Sequence, residues 1–212
     1  MTLLRRYWLA FLFIACAFCI AAVSYAWLPA RIAVHWTLSG EPDNWMPKQI
    51  GAFILPAIGL VATVVLIAIA PRAAPDSQPS SMPRAYASVV ATISAFLLYA
   101  TISIIGVALG LELNIPSYAA VGLGVLLMVL GNSLGKIARN SAIGVRLPWT
   151  MASDEVWSRS NRFTGWLLVL GGAATVIGAF FTNGILVALC VITATALVST
   201  IHSYAIARSL RS

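Results

Sequence analysis

The sequence predicts an all-α, polytopic membrane protein of six transmembrane helices with both termini in the cytoplasm. Three observations carry this expectation. Only 9% of the 212 residues are charged while 60% are hydrophobic, and the mean hydropathy is +0.93. A soluble domain has about 25% charged residues, so most of this exterior must face lipid. The apolar residues also fall into six runs, each close to the ~20 residues a helix needs to cross a bilayer. Finally, lysine and arginine are distributed unevenly between the segments that join the runs.

The runs span residues 7–28, 51–70, 87–111, 118–135, 163–181 and 185–207. None alternates as a barrel strand would, and in hydrocarbon each must be helical because an unpaired backbone group there costs several kcal/mol. The first run contains "FIAC" at 13–16 but stays apolar as far as Trp27. That is longer than the apolar segment of a typical cleaved signal peptide, so it is read as a span. The fifth and sixth runs are joined by little more than "TNG", which makes them an antiparallel pair.

With the N-terminus inside, one side of the membrane receives Arg5, Arg6, Arg72, Arg84, Lys136, Arg139, Arg146, Arg159, Arg162, Arg208 and Arg211, and the other only Arg31 and Lys48. Cytoplasmic loops carry such an excess of Lys and Arg. The net charge of +7 is thereby used for orientation. There is no basic face or aromatic-interleaved basic run of the kind that binds nucleic acid, so no direct nucleic-acid contact is expected.

This organisation gives an N-terminal two-span region (1–70) with an outward loop at 29–50, a Pro- and Ser-rich cytoplasmic linker at 71–86, and a four-span region (87–212) with a cytoplasmic loop at 136–162. In the outward loop, "RIAVHW" alternates as a short extended segment does, and "SGEPDNW" supplies turn residues. Trp27, Trp36 and Trp45 suit an interfacial aromatic belt. His35, Glu41 and Asp43 are too sparse a set for a metal site, and no metal or cofactor is expected. With Trp36 they are the candidate residues of an outward ligand-binding surface.

The spans hold almost no ionisable residues, which weakens a proton or ion pathway. Thr101, Ser103, Thr193, Thr195 and Ser199, with the glycines at 122, 124, 131, 135, 171, 172 and 178, read as helix-packing positions. Cys16, Cys19 and Cys190 lie in apolar runs without ligand or disulfide spacing. No nucleophile motif is present, and His35 and His202 fall on opposite sides, so no enzyme is expected.

The stretch "GVRLPWTMASDEVWSRSNR" (144–162) interrupts this pattern with three arginines, two acids and two tryptophans in nineteen residues. Pro148 biases Leu147 to extended backbone. Thr150 or Ser153 can cap a helix whose first turn holds Asp154 and Glu155, and Glu155 precedes Arg159 by four, the favoured ion-pair order. Trp157, Ser160 and Thr164 share one side of it. Arg146, Trp149 and Arg162 admit two readings: snorkelling to lipid phosphates, or a fixed pocket for a carboxylate, phosphate or partner protein.

The chain resembles the SdpI family of bacterial membrane immunity proteins. The resemblance rests on Gly131-Asn132, Asn140, Gly144-Val145-Arg146, Pro148-Trp149-Thr150, Asp154-Glu155-Val156-Trp157 and Asn161-Arg162. Residues 28–59, with their His-Trp and Ser-Gly-Glu-Pro-Asp, are similar to the domain of unknown function that commonly precedes it. Asn161 stands where the family often has histidine. The resemblance implies a bacterial cytoplasmic-membrane protein that protects its cell from a secreted, extracellular peptide toxin and holds a cytoplasmic transcriptional regulator at the membrane. It makes Asn140, Arg146, Pro148, Trp149, Thr150, Glu155, Trp157, Asn161 and Arg162 the candidate partner-binding residues. The alternatives are a small transporter or efflux component, and a regulatory or structural membrane protein that binds no toxin.

Overall fold

The computed structural model describes residues 3–73 and 82–210. Its elements follow in the order α1 (Leu3–Ser24), β1 (Arg31–Trp36), β2 (Pro42–Pro47), α2 (Lys48–Gly51), α3 (Ile54–Ala73), α4 (Met82–Ala108), α5 (Ile115–Leu134), α6 (Pro148–Met151), α7 (Asp154–Phe181) and α8 (Gly184–Ser209). Six helices, α1, α3, α4, α5, α7 and α8, are long and apolar enough to cross a membrane. Both ends of the linker expected at 71–86 are helical, since α3 runs to Ala73 and α4 starts at Met82. Its middle, 74–81, lies outside the described residues, as does Arg211.

Because successive long helices alternate in direction, the β1–β2 hairpin and the turns before α5 and α8 lie on one face. Asn183 at the head of α8 donates from Nδ2 to the Leu38 carbonyl at the hairpin tip, 3.1 Å away. The segment from Gly135 to Ser153 and the N-terminal end of α1 lie on the other face. These are called the hairpin face and the loop face.

The hairpin departs from the expected long turn. Its strands are antiparallel, with Ile32 opposite Met46 and Trp36 opposite Pro42, so "PDNW" belongs to β2. The turn proper is Thr37–Glu41, closed by Thr37 N–H to Glu41 O at 2.9 Å. Gly40 takes φ 92° there, which glycine adopts without steric cost. Ile32 is buried with Ala21, Leu28, Ala52 and Ile105, seating the sheet on the helix ends. Lys48 fixes the seat: its Nζ donates to the Tyr25 and Leu28 carbonyls, each at 3.1 Å, and lies 4.6 Å from the Tyr25 ring centre. Those carbonyls follow the C-terminal end of α1, where partial negative charge collects.

Small residues set the helix packing. On α5, a Cβ added to Gly124 or Gly131 would stand 2.6 Å from the Gly172 or Gly165 carbonyl oxygen of α7. Such contact between backbones is what small-residue interfaces in membranes permit. Hydroxyls tie other pairs: Thr63 to Ser94 at 3.0 Å and Thr164 to Ser199 at 2.8 Å. Thr195 is buried as expected of a packing residue, whereas Thr193 is exposed. Cys16 is half-buried, and Cys19 and Cys190 are exposed.

Replacing Gly131 with leucine should therefore cost at least about 1–3 kcal/mol, the usual penalty of overpacking. Thermal unfolding of the purified protein in detergent checks it; an unchanged midpoint would contradict the close α5–α7 contact.

Candidate functional site

The loop face is organised around α7. Ser153 caps the helix by accepting from Val156 N–H at 3.4 Å, and Asp154 and Glu155 occupy its first turn. Glu155 pairs with Arg159 one turn on. Arg139 reaches across from the preceding segment to donate to Asp154 Oδ1 at 2.7 Å and to the Met151 carbonyl. These pairs are largely exposed and so add little stability. They do consume both acids.

Four of the sequence-derived candidates form a buried frame. Asn140 Oδ1 accepts from the Ala142 and Ile143 N–H groups, each at 2.8 Å, while its Nδ2 donates to Ala138 and Ile143 carbonyls. Asn161 projects from α7 and accepts from Val145 N–H at 2.8 Å. Trp157, one turn earlier, donates from Nε1 to Ile137 O at 2.9 Å. Thr150 donates to Val145 O at 2.6 Å and accepts from Leu147 N–H at 2.9 Å. All four side chains are buried and satisfied, as polar groups removed from water must be. Leu147 is extended (φ −110°, ψ 155°) before Pro148 starts α6.

Gly144 allows the frame to close. Its φ is 132°, and a Cβ there would stand 2.6 Å from the Trp157 ring and 2.7 Å from Asn161 Oδ1. Ala142 and Ile143 then pack against Tyr7 and Ala10 of α1 and Tyr86 and Val90 of α4. The loop is thus wedged onto the N-terminal helices.

The remaining candidates face outward from this frame. Arg146, Pro148, Glu155 and Arg162 are exposed. Among the described residues neither Arg146 nor Arg162 has an ion-pair partner. Trp149 is half-buried, donating from Nε1 to Ser203 Oγ at 2.9 Å and meeting the Tyr204 ring edge-on at 5.4 Å. Beside it lies a hollow of about 270 Å³ lined by Pro148, Trp149, Tyr204, Ala207 and Arg208. Sequence reading missed Tyr204 and Arg208; their one signal is a four-residue spacing at the end of α8, which does not reveal that the loop lies across it. The result is an aromatic hollow lined by one arginine and no acid among the described residues, on a face where Asp154 and Glu155 are both paired, a surface matched to an anionic partner.

On the hairpin face, His35 Nδ1 lies 2.6 Å from Asp43 Oδ1 across the two strands, and both side chains are exposed. Glu41 is exposed in the hairpin turn and Trp36 is half-buried. His35 and Asp43 thus meet on the hairpin face, and Asn140, Thr150, Trp157 and Asn161 share the frame on the loop face.

Two family models match the chain. Residues 12–60, covering the body of α1, the hairpin and the start of α3, match a domain of unknown function, DUF1648. Residues 136–203, the wedged loop with α6, α7 and most of α8, match the SdpI/YfhL protein family. The Immunity protein SdpI of Bacillus subtilis (strain 168) is 26% identical over 199 residues, which cover 92% of this chain and 93% of that protein. The chain is thus similar to SdpI proteins over most of its length. It is a multi-pass protein of the bacterial cytoplasmic membrane. No solved structure matches it. The SdpI-family match begins at the wedged loop, so the frame residues Asn140, Thr150, Trp157 and Asn161 all lie within it.

Asn161→Leu should leave Val145 N–H buried without an acceptor, at a cost of about 1–3 kcal/mol. A lowered unfolding midpoint together with new protease cleavage between residues 136 and 147 is expected. Unaltered protease resistance would show that the frame does not depend on this bond.

Proposed function

We propose that this protein is a membrane immunity protein: its hairpin face, turned outward, meets a secreted peptide toxin, and its loop face, turned to the cytoplasm, docks a regulator. The observation that carries the reading is the end-to-end likeness to an immunity protein, with 93% of that protein's length covered. The excess of basic residues on the loop side supports the orientation. The exposed His35–Asp43 pair offers a toxin polar contacts at a membrane-surface hairpin. The Trp149 hollow with Arg208 at its edge, and the exposed Arg146 and Arg162 elsewhere on the same face, offer a cytoplasmic protein aromatic and arginine contacts, the residue types that dominate interface energetics.

The buried polar residues are serines, threonines and asparagines, with no charged side chain among the described ones. Ion-coupled transport needs such charges along its path, and this weighs against the transporter reading. Docking on two faces needs none.

Expression in a sensitive bacterium challenged with an SDP-type peptide toxin should preserve membrane potential and survival. Asp43→Ala should reduce that protection. Arg146→Ala combined with Trp149→Ala should instead reduce the fraction of co-expressed regulator that sediments with membranes. Absence of protection despite confirmed membrane expression would overturn the immunity reading and leave transport uptake by vesicles as the next measurement.

A further inference from the structure

A second recess, apart from both docking surfaces, lies among α1, α4 and α5. It is a groove of about 920 Å³, within the range of ligand sites. Its floor is the small-residue edge of α4, where Ala87, Ala91 and Ala95 recur every turn, and its walls include Phe13 of α1 and Val125 of α5. At its loop-face end stand Arg5, Arg6 and Arg84, all exposed. Among the described lining residues there is no aspartate or glutamate.

Along α4 the lining ends at Tyr99. The Tyr99 hydroxyl donates to the Tyr118 carbonyl of α5 at 2.9 Å, and its ring is 2.6 Å from where a Cβ on Gly122 would stand. From Arg84 to Tyr99 is fifteen helical steps, about 22 Å at 1.5 Å each. That is the depth of one leaflet with its headgroups, half of a bilayer about 40–45 Å thick. A membrane-spanning peptide helix needs about 30 Å of apolar contact, more than this groove offers along α4, and is not matched by it. One phospholipid is.

Charge narrows the occupant further. An uncharged apolar groove would accept any acyl chain, but three guanidinium groups at its mouth favour an anionic headgroup, because arginine binds phosphate oxygens in a bidentate manner. Basic pockets between membrane helices bind anionic lipid headgroups in this way. We propose that this groove is a binding site for one anionic phospholipid, its phosphate held by Arg5, Arg6 and Arg84 and an acyl chain lying on the alanine floor of α4. The site is independent of the proposed immunity role.

The test uses the full chain in mild detergent, exposed to equal amounts of phosphatidylglycerol and phosphatidylcholine, with retained lipid read by native mass spectrometry. Phosphatidylglycerol should be preferred by about tenfold or more, given the affinity each arginine contributes near an anionic surface. The triple variant R5A/R6A/R84A should lose that preference, and A91F should retain less of either lipid. The three arginines are exposed, so their variant reads the site even where A91F does not fold. Soluble glycerol phosphate should fail to displace the lipid. Equal retention of the two lipids by the unmodified chain, a preference that survives the triple variant, or displacement by glycerol phosphate alone would each overturn the proposal.

Discussion

The structure depends on one constraint: backbone amides removed from water, by lipid or by burial, must find partners within the protein. The long helices meet it internally. Where the chain leaves helical geometry, side chains must supply the missing partners. On the loop face Asn140, Thr150, Trp157 and Asn161 do so for residues 137–147. On the hairpin face the two strands pair with each other, and Lys48 takes up the carbonyls that follow α1. Both irregular regions are consequently fixed structures, and their exposed residues are held in defined positions.

Much of this was legible in the sequence, for identifiable reasons. Span number follows from apolar run length, and the start of α7 follows from Ser153 with the acids after it, since caps are local. The placement of Trp157, Ser160 and Thr164 on one buried side follows from helical spacing. The division of the 136–162 candidates into buried frame and exposed surface was not legible. Nothing in the identity of Asn161 says that its oxygen meets Val145 N–H sixteen residues back, because that bond depends on Gly144 bringing the loop against α7. The strand role of Pro42–Trp45 was hidden for a related reason. Asp, Asn and Pro have turn propensity, and register with β1 overrides it.

The arginine-mouthed groove was invisible from sequence altogether. Arg5, Arg6 and Arg84 are nearly eighty residues apart at the extremes and were read only as topology signals. Their convergence needs α1 and α4 to run side by side in the same direction, which in turn rests on Tyr7, Ala10, Tyr86 and Val90 forming one cluster. The same cluster receives Ala142 and Ile143 from the loop, so the N-terminal helices and the start of the region that matches the SdpI/YfhL family share a core.

The unbroken run of α7 has a geometric implication. Over Asp154–Phe181 the helix has no proline, and at 1.5 Å per residue its 28 residues make a rod of about 42 Å. Asn161, near one end, holds the loop, while Asn183, just past the other, holds the hairpin tip. The glycine contacts with α5 lie between the two. One continuous helix therefore covers the distance between the two irregular regions.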